Sequence, residues 1–322
     1  RPGTGTATPD VAAPPIPQPA ASAAVPSEIS TREYDLGDVG HDLADEPPPE
    51  DWPLTPFATV KGPDGRASRD AFLGGWLSDQ ARVPAGEGSV LVHDGKATAS
   101  ASAGTHGRVA AAVEALLGAA DRIVRVEVDT VELSAERATR LLAEAKARPE
   151  SKEQRVYRLD AAASRLVGER LGALRDPGSS YEFFERLAAR HTQLVTARTI
   201  RSRALVGEIR SERRGDGSIA LTPVNGTVEE GAVVAVRPVV LTAGLVSVYA
   251  TALLADVEKI DEWRPEGLPP SSPLVALPRH RVERAAAVGA LAEGETLLFV
   301  VPVPGADGAR VVIVRVRLPQ GA

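Results

Sequence analysis

Apolar positions along the first third of the chain switch between a period of two and a period near 3.6. Ser30-Thr31-Arg32-Glu33-Tyr34-Asp35-Leu36 reads as a short strand. A proline loop follows at Pro47-Pro48-Pro49 and Trp52-Pro53. Ser68 to Val83 then places Phe72, Leu73, Trp76 and Leu77 at helical spacing, with Ser68 as N-cap and Pro84 past the end. Short runs at Ser89–His93 and Lys96–Ser100 flank Asp94-Gly95, which predicts a hairpin. Thr105 is the expected cap of a second helix, whose stripe is Val109, Val113, Leu116 and Leu117 up to Gly118. From Arg122 to Leu133, Arg, Glu and Asp alternate with Val and Leu, the pattern of a strand with one wet and one buried face. Amphipathic helices of this length fold most economically onto one face of a sheet.

Ser134 to Arg190 reads as largely helical. Ser134 caps a helix over Ala135–Arg148 that Pro149 stops, and a short strand at Gln154–Leu159 follows. Asp160 caps a second helix carrying Leu166, Val167 and Leu171, ended by Asp176-Pro177-Gly178. Tyr181, Phe183, Phe184 and Leu187 predict a third helical piece. After Thr192 the pattern is β-rich, with turns expected at Gly215-Asp216-Gly217, Asn225-Gly226, Ala243-Gly244 and Asp307-Gly308. Pro238–Ala255 is uncharged and long enough for a membrane helix, but its valines and its Pro, Thr and Gly favour two strands around Thr242-Ala243-Gly244.

Composition narrows the function classes. Residues 1–28 are Pro/Ala-rich with almost no charge, the makeup of a disordered tether. The 37 Lys and Arg are interspersed with 43 Asp and Glu, for a net charge of −6, so no nucleic-acid partner is expected. Absent cysteine excludes disulfides and thiolate metal sites. Methionine is absent even at position 1, which fits removal of a secretion signal. His41, His93, His106, His191 and His280 are scattered without metal-ligand spacing, and surface or capping roles are expected for them. No nucleophile elbow, phosphate loop or dinucleotide fingerprint occurs, so neither an enzyme nor a cofactor or metal site is expected.

Several segments, in order, resemble the bacterial secretins. Residues 31–36 resemble the Thr-Arg-x-Tyr-Asp strand that opens the small αβ domains of that family. His93 to Leu117, two strands and a helix with paired leucines, is similar to a further segment of those domains and keeps the histidine at His106. Val124–Ser134 resembles the strand that begins the secretin β-domain, and Val195–Ile200 and Gly226–Pro238 resemble later strands. Leu277–Val288 and Glu293–Leu298 resemble the closing hairpin, although Phe299-Val300-Val301 replaces the family's Gly-Gly-Leu.

The resemblance implies an α+β protein with a tail over 1–28, a small αβ domain over 29–121, and a β-rich secretin-like domain over 122–322 with a helical insertion at about 134–190. It implies a structural protein of the cell envelope, copies of which form a ring, channel or array, with other secretion-system proteins as further partners. Contact with a membrane is left open. The expected oligomer interface is the charged residues Arg125, Glu127, Arg198, Arg201, Arg203, Arg315 and Arg317, since opposed cross-strand charges between neighbours set register. The competing expectation is a monomeric periplasmic or surface module that binds a partner protein or wall polymer.

Overall fold

The computed structural model describes residues 28–40, 65–86, 88–151, 155–174, 182–242, 244–264, 266, 268–303 and 308–318. The predicted tail (all but Glu28), the Pro47–Pro49 loop and the Asp176-Pro177-Gly178 turn lie outside these residues. The fold is a β-rich α+β arrangement with three antiparallel sheets.

The N-terminal part contains β1 (Ser30–Asp35), α1 (Gly65–Gln80), β2 (Ser89–His93), β3 (Lys96–Ala101) and α2 (Ala103–Leu117). Its sheet runs β1-β3-β2. Asp94 and Gly95 both take positive φ (53° and 74°), the geometry a two-residue hairpin loop requires. Leu73, Trp76 and Leu77 of α1 and Val109, Val113 and Leu116 of α2 are buried with Leu36, Val90, Ala97 and Ala99, as their spacing predicts. Both helices start earlier than expected. Ser68 lies inside α1, and α2 is entered from Ser102. Thr105 is the helix's third residue, where its Oγ1 accepts from Ser102 Oγ (3.2 Å) and Arg108 Nη2 (2.9 Å). Two cap-type residues three apart make the register ambiguous without the partners of the backbone. His106 is buried rather than superficial, its ring nitrogens meeting Tyr34 Oη (2.9 Å) and the Ser30 carbonyl (3.0 Å), which ties α2 to β1.

The remainder contains β4 (Ile123–Ser134), α3 (Ala135–Glu144), β5 (Arg148–Ser151), β6 (Val156–Leu159), α4 (Ala161–Leu174) and β7 (Glu182–Arg190), then β8 (Val195–Arg213), β9 (Ile219–Thr242), β10 (Leu245–Trp263), β11 (Val275–Ala292), β12 (Thr296–Val303) and β13 (Gly308–Arg317). Six strands form one sheet, β5-β6-β12-β13-β4-β7, and four long ones form another, β11-β10-β9-β8. Ser134 and Asp160 cap α3 and α4 as expected, accepting from the Arg137 N–H (3.3 Å) and Ala163 N–H (2.8 Å).

Three expectations for this part are corrected. The third helical piece is strand β7, paired with β4 from Ile123↔Arg190 to Val131↔Glu182, because β4 offers a free edge that a helix could not use. Helix α3 ends at Glu144, ahead of Pro149, which lies in β5 and pairs with Tyr157 of β6. Asn225-Gly226 is not a turn. It lies inside β9 opposite Val206 and Leu205, while the chain reverses at Gly217 (φ 84°), between β8 and β9.

The two larger sheets pack face to face. Val124, Val126 and Val128 of β4, with Leu297, Phe299, Val312, Val314 and Val316, meet Val234, Val236, Val246, Val248, Ala252 and Leu254 of the long sheet. Full burial of each valine or leucine contributes about 1.5–3 kcal/mol. The second face of β4 is wet only in its first half, where Ile123 and Arg125 are exposed: farther along, Val131 and Leu133 lie under Leu141 of α3 and Val167 and Leu171 of α4, and Glu127 is also buried. On the outer side of the long sheet, Val239, Leu241 and Tyr249 join the core of the N-terminal part. Four layers result: the αβ module, the long sheet, the six-stranded sheet, and α3 with α4.

The β11–β12 turn illustrates how tightly the layers meet. Gly294 has φ 84°, and a Cβ there would lie 3.1 Å from the Ala161 Cβ at the start of α4. Gly294→Ala is expected to cost about 1–2 kcal/mol through left-handed strain and crowding. A urea midpoint equal to that of the unaltered chain would contradict this.

Candidate assembly surfaces

The long sheet changes character along its length. β8 and β9 pair throughout, from Val195↔Val236 to Arg213↔Ile219. β9 and β10 pair only from Thr242↔Leu245 to Gly231↔Ala255, whereas β10 and β11 continue to Trp263↔Val275. Past Gly231 (φ 146°, a conformation open to glycine) the sheet therefore splits into two ribbons of two strands each. The 19 residues of β8 reach about 60 Å at ~3.3 Å per residue, well beyond the sandwich. The ribbons touch near the fork through Ile200, Val233, Leu253 and Ala255. Farther out, residues 201–204 and 210–219 are exposed, and Ile219 (63%) and Trp263 (50%) leave apolar side chains in water.

Both outer strands, β8 and β11, lack a described partner on their far sides. Such edges are templates for pairing. A bulge between Val206 and Glu208 interrupts β8, and one between Val257 and Lys259 interrupts β10 beside β11. Charges alternate between the strands of each ribbon. Arg201 stands opposite Glu230, and Asp261 holds Lys259 and Arg279, the latter at 2.9 Å. The Lys259 hydrogen bond, with Arg279, holds the Asp261 carboxyl below its ordinary range. His280 faces Glu230, but burial outweighs that charge and lowers its pKa.

The residues expected at an interface fall into two groups. Arg198, Arg201 and Arg203 follow one another on the β8 edge, where the Arg198 N–H donates to Glu185 Oε2 (3.3 Å). Arg125, Glu127, Arg315 and Arg317 lie elsewhere, on the face of the six-stranded sheet that α3 and α4 only partly cover. There Arg317 Nη2 donates to Glu127 Oε2 (3.2 Å), Arg186 Nε lies 3.5 Å from Glu127 Oε1, and Arg315 Nη1 donates to Asp129 Oδ2 (2.7 Å). Three of these four charges are thus satisfied within the chain, while Arg125 points to solvent. The helical spacing of Phe183, Phe184 and Leu187 conceals Arg186 as a member of this face. The period-two alternation of Phe184, Arg186, Ala188 and Arg190 was the available signal.

The αβ module is seated on the long sheet through a polar joint. Arg237 Nη1 donates to the Thr192 carbonyl (2.7 Å), its guanidinium lies 4.3 Å over Phe72 of α1, and Phe72 meets Tyr249 edge-on at 4.9 Å. His191 is buried there, with Nδ1 accepting from the Val240 N–H (3.0 Å). That bond requires the neutral ring, with its proton on Nε2. Burial first, and then the Arg69 charge, push the His191 pKa from 6.5 down to about 4. The unfolded chain binds the proton more readily, so stability is greatest above pH 6.5 and is lost as pH falls toward 4, by up to about 3 kcal/mol. Urea midpoints at pH 7 and pH 4.5 test this. His191→Asn should flatten the difference, and a slope unchanged by that substitution would refute it.

Among the described residues no three His, Asp or Glu side chains gather to hold a metal ion. No described helix is long and apolar enough to cross a membrane. A hollow of about 720 Å³ between α3, β6 and α4 has mixed charge, with Arg148, Arg158, Lys146, Glu144, Asp160 and Glu295 in its walls. Arg158 and Glu295 pair across it at 2.7 Å.

No known protein family matches this chain. No curated protein matches it either. Among solved structures, the secretin-domain β-barrel of InvG, from the Salmonella SPI-1 injectisome, aligns at a TM-score of 0.28 and 11% identity, over 92% of this chain and 89% of that one. The type IV competence pilus secretin PilQ of V. cholerae aligns at 0.27 and 9% identity, over 73% and 70%. Superpositions this loose do not establish a common fold.

Proposed function

We propose that this chain is a structural, homo-oligomerising protein of the bacterial cell envelope, secretin-like in organisation, whose copies complete one another's sheets to form a ring, channel or array serving translocation. It performs no chemistry of its own in this reading. The observation that carries it is the fork. Two ribbons leave the sandwich past Gly231 and Ala255, each strand hydrogen-bonded in a ladder to a single described strand, with long edges left open to a neighbour. The residue patterns at 31–36, 93–117, 124–134, 195–200 and 226–238 support the secretin-like organisation.

Sedimentation and electron micrographs of the purified chain test the reading. Closed or extended assemblies, with slow amide exchange in residues 201–213 and 275–283, are expected. A chain that stays monomeric at high concentration, with those amides exchanging freely, would sink it and favour a monomeric binding module.

A further inference from the structure

The partly uncovered face of the six-stranded sheet is strongly basic in a protein whose net charge is −6. Strand alternation and register bring Arg186 and Arg190 of β7, Arg125 of β4, and Arg315 and Arg317 of β13 onto it, against the carboxylates of Glu127 and Asp129. Five positive and two negative charges leave a surplus of three. The surplus is accessible: Arg125 and Arg190 are exposed and carry no ion pair among the described residues. Phe184 and Ile123, 47% and 48% exposed, flank the patch at its two ends. Guanidinium groups between exposed apolar side chains are the makeup of a protein-docking surface.

The same chain contains a complementary stretch. Between Arg32 and Lys61 there is no Lys or Arg, and Asp42, Asp45, Glu46, Glu50 and Asp51 fall within ten residues, with Leu43 among them and Trp52 directly after. The patch runs about 20 Å along β4, from Ile123 to Asp129, well within the reach of ten residues. Gly40, after which this stretch begins, belongs to the αβ module, on the far side of both sheets from the arginines. A chain lying beside this one can present the stretch without passing around two sheet layers.

We propose that the arginine face is the docking site for residues 42–51 of a neighbouring copy. The source of the stretch rests on the self-assembly reading above, whereas the chemistry of the face does not. Bidentate contacts from Arg125 and Arg190 hold the carboxylates, and Phe184 and Ile123 receive Leu43 and Trp52.

A labelled synthetic peptide of residues 40–52 is titrated onto the full chain, diluted below association. Saturable binding is expected, weakened about ten-fold by high salt and about ten-fold in Arg125→Gln/Arg190→Gln. Absence of saturable binding, or equal affinity in the variant, overturns the proposal. Circular dichroism and the urea midpoint check that the variant folds. Should it not fold, a peptide with Asp45, Glu46, Glu50 and Asp51 converted to amides must show the same loss on the unaltered chain. For the neighbour's role, a chain carrying Arg125→Glu/Arg190→Glu is mixed with one carrying Lys at positions 45, 46, 50 and 51. Sedimentation showing association of the mixture beyond that of either alone supports docking between copies, and none overturns it. An unaltered chain that binds the peptide yet never self-associates leaves the face standing and instead refutes the assembly reading.

Discussion

Phe299→Ala is expected to lower the stability of the chain by about 3–5 kcal/mol. Phe299 is the largest wholly buried side chain among the described residues, in the middle of β12 and between the two large sheets. Its register partners Val156 and Val312 hold it from both sides, so the site cannot collapse without moving three strands. The loss combines the transfer of a large apolar group with the cavity left behind. Urea unfolding followed by tryptophan fluorescence measures it, with Phe184→Ala as control, because Phe184 is half exposed and should cost under about 1 kcal/mol. A Phe299→Ala loss as small as that of the control would show that the sandwich does not close over β12.

Asp256→Ala is expected to cost about 2–4 kcal/mol, for a different reason. Arg310 points from β13 across the sandwich, with its side chain 6% exposed, and its guanidinium reaches the carboxylate of Asp256. Asp256 is the first residue of β10 past its pairing with β9, so this ion pair fastens the root of one ribbon to the six-stranded sheet. Removing the carboxylate takes from a buried positive charge the anion its Nη2 donates to, which costs more than the pair itself contributes. A double-mutant cycle separates the two contributions: Arg310→Met with Asp256→Leu should recover most of the loss. If the double variant is as unstable as Asp256→Ala, the loss of the Arg310–Asp256 pairing is not the cause. Amide exchange in residues 256–263 should also accelerate in Asp256→Ala, linking the pair to the positioning of the ribbon.

Much of the local structure was legible in the chain. The α1 and α2 stripes, the Asp94-Gly95 hairpin, the Ser134 and Asp160 caps and the reading of Pro238–Ala255 as two strands all rest on interactions within a few residues. The misreadings share one origin. Phe183, Phe184 and Leu187 fit helical spacing as well as a strand, and only the free edge of β4, about 55 residues earlier, decides between them. Asn225-Gly226 has the ideal composition for a tight turn, yet β8 runs past it and absorbs it into a ladder. Glu127 alternates like a solvated residue and is buried because Arg186 and Arg317 converge on it from two other strands.

What the amino-acid order determined alone is helices α1 to α4 with their buried stripes, the Asp94-Gly95 hairpin and the short strands around it, because capping, turn conformation and periodic burial act over one or two turns of chain. The tertiary structure decided which strands became neighbours, where the long sheet divides, and that the charged residues of β4 and β13 belong to a different surface from those of β8. Pairings between distant segments depend on which edge remains open after the others have closed, and no window of neighbouring residues contains that information.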